Sequence, residues 1–319
     1  TNEDLGYVNV LNKLGRRLVD QRTRMDRDLT PDEFQRFHDL IYKIAGIHYP
    51  TEKIELLGNR IRKRIRAIDE TSYSAYLQRI SSSTQSVELQ AFLDSITTNE
   101  TYFFRCQRHW DYFREWLEQK KADPDTKRNG LRIWSAAASN GSEACTMLIV
   151  LHQVFGENFG GVSVQILGTD LSTNILNEAK MATFTPYAVA QTPPEVVNKY
   201  FKMNDEKTHY VFDRKLLASV RFTQHNLMDR LPSLDQFDAV FVRNVMIYFD
   251  QASREKVLDH IFNSMRPSAL LLVGESESLL SVKHGFQYMK PSIFTKPLPG
   301  ADGTNKAIAP GQAHNRPKV

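Results

Sequence analysis

Apolar positions along this chain follow two periods. Between residues 30 and 100 they recur every three or four residues, the spacing of helices with one buried face. Thr30-Pro31-Asp32-Glu33 has the form of a helix start: a hydroxyl cap, proline at the first helical position and acids in the first turn. FQRFHDLIYKIA carries that helix to Gly46. In KIELLGNRIRKRIR, residues 53–66, Ile54, Leu57, Ile61 and Ile65 share one face, which predicts a second helix. Further helices are predicted over Ser72–Ile80, from Ser86 to Ile96, and in a connector over 106–125 that ends in a loop, Asp123–Gly130.

From Leu131 the pattern changes to short β-branched and aromatic runs alternating with helical stretches, which predicts a parallel sheet. The expected strands are 131–135, 163–168, 219–223, 237–242 and 269–273, with a final hairpin around 286–296. Between Lys199 and Phe222 the alternation breaks into two short β-like runs around the polar turn Asn204–Thr208, as expected of a small antiparallel insertion. The fold class is therefore α/β, with an all-α domain in front of the sheet domain. Residues 1–29 are polar and charged and are expected to be a partly helical extension. Residues 299–319, rich in Gly, Pro, Asn and Ala, are expected to be a flexible tail.

Composition narrows the function classes. The 319 residues suffice for two domains, and no run approaches the ~20 apolar residues of a membrane span. No signal-peptide pattern is present, so membrane insertion is not expected. The two cysteines, Cys106 and Cys145, form no CxxC, and the nine histidines form no ligand spacing. A disulfide framework and a metal site are both disfavoured, and a reducing cytoplasmic setting is expected. The net charge is only +4, yet residues 53–66 carry six basic side chains against one acid. If the isoleucines face inward, Lys53, Arg60, Lys63 and Arg64 offer a docking surface to an acidic partner. No RNA-binding fingerprint or helix-turn-helix pattern points to nucleic acid.

The candidate chemistry sits where strands end. FDAVFVRNVMIYFD, residues 237–250, reads as a buried strand stopping at Arg243-Asn244, with Tyr248 one turn on. In open α/β sheets, ligands bind outside the carboxyl ends of the strands. LRIWSAAASNGSEA places small residues at a strand-to-helix turn, where the backbone can approach a ligand. VSVQILGTD ends in Asp170, the position at which a nucleotide-type fold grips ribose hydroxyls, although Asp170 could equally cap the segment beginning at Leu171. A dehydrogenase is disfavoured, because one glycine stands where a dinucleotide fingerprint needs three.

TTNETYFFR (97–105), WSAAAS, TD, HNL and RNVMIYF occur in that order, and with them the chain resembles the CheR family over roughly residues 30–298. These are the S-adenosylmethionine-dependent methyltransferases of bacterial chemotaxis. The resemblance implies a Rossmann-like class I methyltransferase domain at 131–298, with a β-subdomain insertion at 199–222. A helical domain at 30–105 and a connector at 106–130 would precede it. It implies that Asn99, Thr101 and Arg105 lie over the cofactor, with Arg105 also orienting the acceptor carboxylate. Glu143 would accept from the methionine amino group and Asp170 from both ribose hydroxyls. Asn226 and Leu227 would meet the adenine edge, and Arg243 and Asn244 would line the pocket. Tyr248 would place its hydroxyl near the transferred methyl, whereas Phe103, Phe104, Phe241 and Phe249 read as core.

The implied reaction esterifies glutamate side chains on the cytoplasmic helical bundle of a chemoreceptor, releasing S-adenosylhomocysteine. A glutamate, with a reference pKa of ~4.3, is already ionised and needs no general base. Two departures from the family pattern stand out. SNGSEACT replaces STGEEPY, with Ser142 for the first acid and Ala144 for the proline. MNDEKTHY lacks the glycine of tether-binding members, so a receptor pentapeptide tether is not expected, and the protein is expected to act as a monomer. The rival readings are a cofactor-sensing protein without turnover and a methyltransferase for another acceptor.

Overall fold

A computed structural model describes residues 27–82, 86–232 and 236–300. Expectations for residues 1–26 and 301–319 lie outside the described residues. Helix α1, Pro31–Ala45, begins as predicted: Thr30 accepts from the Glu33 amide, the Glu33 side chain reaches back to the cap, and Gly46 ends the helix in the left-handed conformation. Helix α2, Ile54–Ala67, buries Leu57, Ile61 and Ile65. Helices α3, Tyr73–Ser81, and α4, Val87–Ile96, are capped by Ser72 and Ser86. The four pack around one apolar cluster that includes Phe37, Ile41, Tyr76 and Phe92.

Helix α5, Gln107–Ala122, leads to the sheet domain. The expected loop Asp123–Gly130 is instead a short helix, α6, Pro124–Asn129. Asp123 caps it and Pro124 occupies its first turn, the same start signal that opens α1.

The main sheet has the order β6-β2-β1-β7-β8-β10-β9. Its strands are β1 Leu131–Ala136, β2 Val164–Asp170, β6 Val220–Gln224, β7 Phe237–Val242, β8 Met265–Val273, β9 Gln287–Lys290 and β10 Ile293–Thr295. The first five run parallel, and β10 and β9 close the edge antiparallel. Successive β7 residues serve opposite faces: Ala239 and Phe241 join one core, Val240 and Val242 the other. The insertion is a three-stranded sheet, order β3-β5-β4, of β3 Thr183–Phe184, β4 Phe201–Met203 and β5 Tyr210–Phe212. It starts earlier than the expected residue 199, because Thr183–Phe184 pairs with Tyr210–Val211. Among the described residues no helix is long and apolar enough to cross a membrane.

Ala136 is in register with Thr169 and Val242, so β1, β2 and β7 end side by side. The strand order reverses at β1, and a cleft opens there, the position expected for ligands in such sheets. The helical domain roofs it. Tyr42 donates to Asp250 (2.9 Å), the His48 amide donates to the Tyr248 carbonyl (2.8 Å), and Ile47 bridges Phe249.

Candidate active site

The cleft, about 1270 Å³ including its solvent-open part, is lined from both domains. Asn99, Thr101, Arg105, Glu143, Asp170, Asn226, Leu227, Arg243, Asn244 and Tyr248, all singled out in the sequence, line it together, as do Lys53 and Arg60.

Its floor is the turn after β1. Ala137 (φ 65°), Ser139 (φ 52°) and Gly141 (φ 86°) all adopt left-handed backbone, so the chain doubles back at the sheet edge. Left-handed alanine and serine cost free energy that the surrounding contacts must offset. The Asp170 carboxylate ties this turn down, accepting from the Ser139 and Ser172 amides (both 3.0 Å). Burial raises the Asp170 pKa, and the bonds from the Ser172 and Ser139 amides oppose that rise. Asp170 therefore supports the next helix without being its cap, which is Ser172.

Helix α7, Ser142–Phe155, starts at this turn and carries Glu143 in its first turn. Glu143 accepts from the Ser135 hydroxyl (2.7 Å) and pairs with Arg243 (3.0 Å). The Arg243 side chain is 3% exposed, also donates to the Arg105 carbonyl, and lies 5.5 Å from the Trp110 ring centre. Trp110 Nε1 donates to the same carbonyl (3.1 Å). Arg243 thus orders Glu143 and the Arg105 backbone at once. His109 beside it is buried, and burial first, then Arg243, pushes its pKa down to about 3, so it adds no competing cation.

The Arg105 side chain remains at the cleft, donating to the Glu100 carbonyl (3.2 Å) and lying over Tyr102. Phe103, Phe104, Phe241 and Phe249 are buried, in keeping with the core reading. Ser142 is fully buried and donates its hydroxyl to Asn140 (2.7 Å), so this departure from the family pattern is satisfied within the turn.

The expected basic docking face needs correction. The six basic residues of 53–66 do not all face outward. Arg60 turns inward to the Ile96 carbonyl, Tyr49 (3.1 Å) and Thr98 (3.3 Å), and Arg64 forms a two-pronged pair with Glu88 (2.7 and 3.1 Å). Arg62 is bonded to Tyr73 (3.2 Å) and Asp28 (3.3 Å), while Lys53 and Lys63 stay exposed. The helix is narrow, so arginines flanking the apolar stripe reach its neighbours. Asn226 lines the cleft, and its side-chain amide also donates to the Ile44 carbonyl (2.7 Å) and accepts from the Met228 amide (3.1 Å), joining the strand-end loop to α1. Sequence reasoning also passes over Ser135, Ser139, Trp110 and Tyr49. Ser135 and Ser139 lie within WSAAAS, the small-residue block, and that is the only signal for them.

Two family models match the chain: "CheR methyltransferase, SAM binding domain" over residues 99–294 and "CheR methyltransferase, all-alpha domain" over 32–97. Among curated proteins, it is 30% identical to the chemotaxis protein methyltransferase of Borreliella burgdorferi, covering 84% of this chain and 95% of the relative. It is 30% identical to chemotaxis protein methyltransferase 2 of Vibrio cholerae, over 85% of this chain and 95% of the relative. Against the Escherichia coli chemotaxis protein methyltransferase the identity is 32%, over 83% and 91%.

Proposed function

The chain belongs to the CheR methyltransferase family and is an S-adenosylmethionine-dependent methyltransferase, and from that premise we propose that it esterifies glutamate side chains of a chemoreceptor's cytoplasmic helical bundle. The observation that carries the reading is the meeting of Glu143, Asp170, Arg105 and Tyr248 in one cleft at the carboxyl ends of the strands. The residues fit the cofactor. Glu143 and Asp170 are carboxylates at the ends of adjoining elements, suited to an ammonium and a ribose diol respectively. The left-handed turn at 137–141 brings main chain to the cleft floor.

In this reading Glu143 accepts from the methionine ammonium and Asp170 from the ribose hydroxyls. Asn99, Thr101, Leu227 and Asn244 line the remainder, and Asn226 contributes through the loop it holds. When bound, S-adenosylmethionine supplies an electrophilic methyl group. Arg105 offers a planar fork that orients an acceptor carboxylate, and Tyr248 places its hydroxyl beside it. The acceptor is ionised near neutral pH, so the chain's task is alignment and exclusion of water rather than proton removal. We take 30–105 as the helical domain, 106–130 as connector, 131–298 as the methyltransferase domain and 299–319 as a tail, working as a monomer in the cytoplasm.

For docking, the exposed Lys63 on α2 and Lys53 just before it present positive charge to an acidic bundle. The β4–β5 turn, Asn204 to Thr208, is closed by Asn204 accepting from the Thr208 and His209 amides (2.8 and 2.9 Å), without a glycine. We therefore propose docking without a pentapeptide tether. The buried, satisfied Ser142 leaves Glu143 in place, which favours turnover over cofactor sensing. The test is to incubate the protein with methyl-labelled cofactor and receptor cytoplasmic fragments. Label released by mild base supports an ester; base-stable label overturns it.

A further inference from the structure

Asn244 and Tyr248 flank a loop whose backbone needs an external hold. Asn244 is left-handed (φ 60°), a conformation that non-glycine residues adopt less readily. The segment then forms a single 3-10 turn, Met246–Tyr248. From the end of the neighbouring strand β8 the chain turns back through Gly274 to Glu277, whose side chain reaches under this loop. Glu277 is 6% exposed. Its Oε2 accepts from the Gly274 amide (2.6 Å) and the Asn244 amide (2.8 Å), and its Oε1 from the Ile247 amide (3.2 Å).

The space is kept for that carboxylate. A Cβ on Gly274 would stand 2.5 Å from Glu277 Oε2 and 2.9 Å from the Asn244 nitrogen. Backbone amides are donors only, so an ionised carboxylate is the one side chain that can answer three of them with two oxygens. A glutamine of the same shape would present an NH2 to one of them, donor against donor. Burial raises the Glu277 pKa, and the bonds from the Asn244, Gly274 and Ile247 amides oppose the rise.

We propose that Glu277 is a positioning residue for methyl transfer, clamping the Asn244 and Ile247 amides and thereby setting Asn244 and Tyr248 in the cleft. This rests on the role assigned to Tyr248 above. It predicts that loosening the clamp misplaces Tyr248 by a fraction of an ångström to an ångström, enough to lower turnover by about 10–100-fold.

The test uses the full chain with Glu277→Gln and, separately, Gly274→Ala, which leaves the carboxylate but displaces it. Hydrogen–deuterium exchange followed by mass spectrometry reads residues 243–249, and calorimetry reads S-adenosylhomocysteine affinity. The expected result is exchange at least ~10-fold faster at 243–249 with α1–α4 unchanged, and turnover lowered more than product affinity. Unchanged exchange at 243–249 overturns the proposal. So does acceleration spread evenly over the whole sheet domain, or locally faster exchange with turnover intact. Should Glu277→Gln fail to fold, Gly274→Ala decides by the same criteria. Exchange and affinity need no acceptor, so a wrong acceptor assignment shows only as absent turnover in the unsubstituted protein.

Discussion

Replacing Arg243 by alanine removes the cation that faces a largely buried carboxylate. The Arg243 side chain is 3% exposed and that of Glu143 13%, and their closest atoms are 3.0 Å apart. Removing one member of such a pair costs about 3–5 kcal/mol, because the remaining charge is left without its partner. The lost bond to the Arg105 carbonyl and the contact with Trp110 belong to the same cluster, so their contributions are not added separately. Against a usual total stability of about 5–15 kcal/mol the variant should still fold. At about 2–4 °C per kcal/mol for a sheet domain of this size, its melting temperature should fall by roughly 6–20 °C. Calorimetric melting of Arg243→Ala, Glu143→Ala and the double variant forms a cycle. The double variant should recover at least ~1 kcal/mol relative to the sum of the single losses, since it leaves no orphaned charge. A loss below ~1 kcal/mol in Arg243→Ala, or strict additivity, would refute the view that these two side chains form a structural unit beneath the cleft.

Asp170→Ala should weaken S-adenosylhomocysteine binding by about 1–3 kcal/mol, roughly 5–150-fold by calorimetry, and unchanged affinity would remove Asp170 from the site. Because burial raises its pKa, and only the ionised form accepts without donating, affinity should fall on acidification from a higher pH than an exposed aspartate would give; a flat affinity profile down to the ordinary aspartate range contradicts this. Tyr248→Phe and Arg105→Ala should depress turnover more than product affinity, and equal losses in both would make them binding residues only. Lys63→Glu should slow receptor methylation at low salt while sparing product binding. Association of the unsubstituted protein should weaken with salt, whose screening length is about 10 Å at 0.1 M. Micromolar binding of a receptor tail peptide, or full methylation by the reversed variant, would rule out tether-free docking.

What the sequence discloses is local. Thr30-Pro31 and Asp123-Pro124 announce helices through capping chemistry within four residues, although the short polar run from Asp123 to Gly130 also has the look of a loop. The run FDAVFV followed by Arg243-Asn244 marks a strand that stops at a ligand edge, and both residues do line the cleft. What lies beyond the reach of pattern is pairing across long separations. Arg243 meets Glu143 a hundred residues away, and Glu277 reaches back 33 residues to Asn244. Neither contact leaves a periodicity. Arg60 and Arg64 carry the same charge as Lys63 and sit on the same helix, yet they bond inward to Ile96 and Glu88. A count of charges cannot separate them, because the difference depends on which neighbour stands at the edge of the apolar stripe. Asn226 illustrates the same limit: its block is legible, but its bond to the Ile44 carbonyl, 182 residues away, is not.

Under the proposed function, the transferred methyl group ends on a glutamate side chain of a receptor bundle. Peptide mass spectrometry of a receptor cytoplasmic fragment, after reaction with isotopically labelled S-adenosylmethionine, locates that methyl group directly. Label is expected on glutamate side chains of the helical bundle, lost on replacing those residues by alanine and absent with the Arg105→Ala protein. Label on lysine, arginine or nucleic acid, or no transfer by a protein that binds the cofactor, would contradict it.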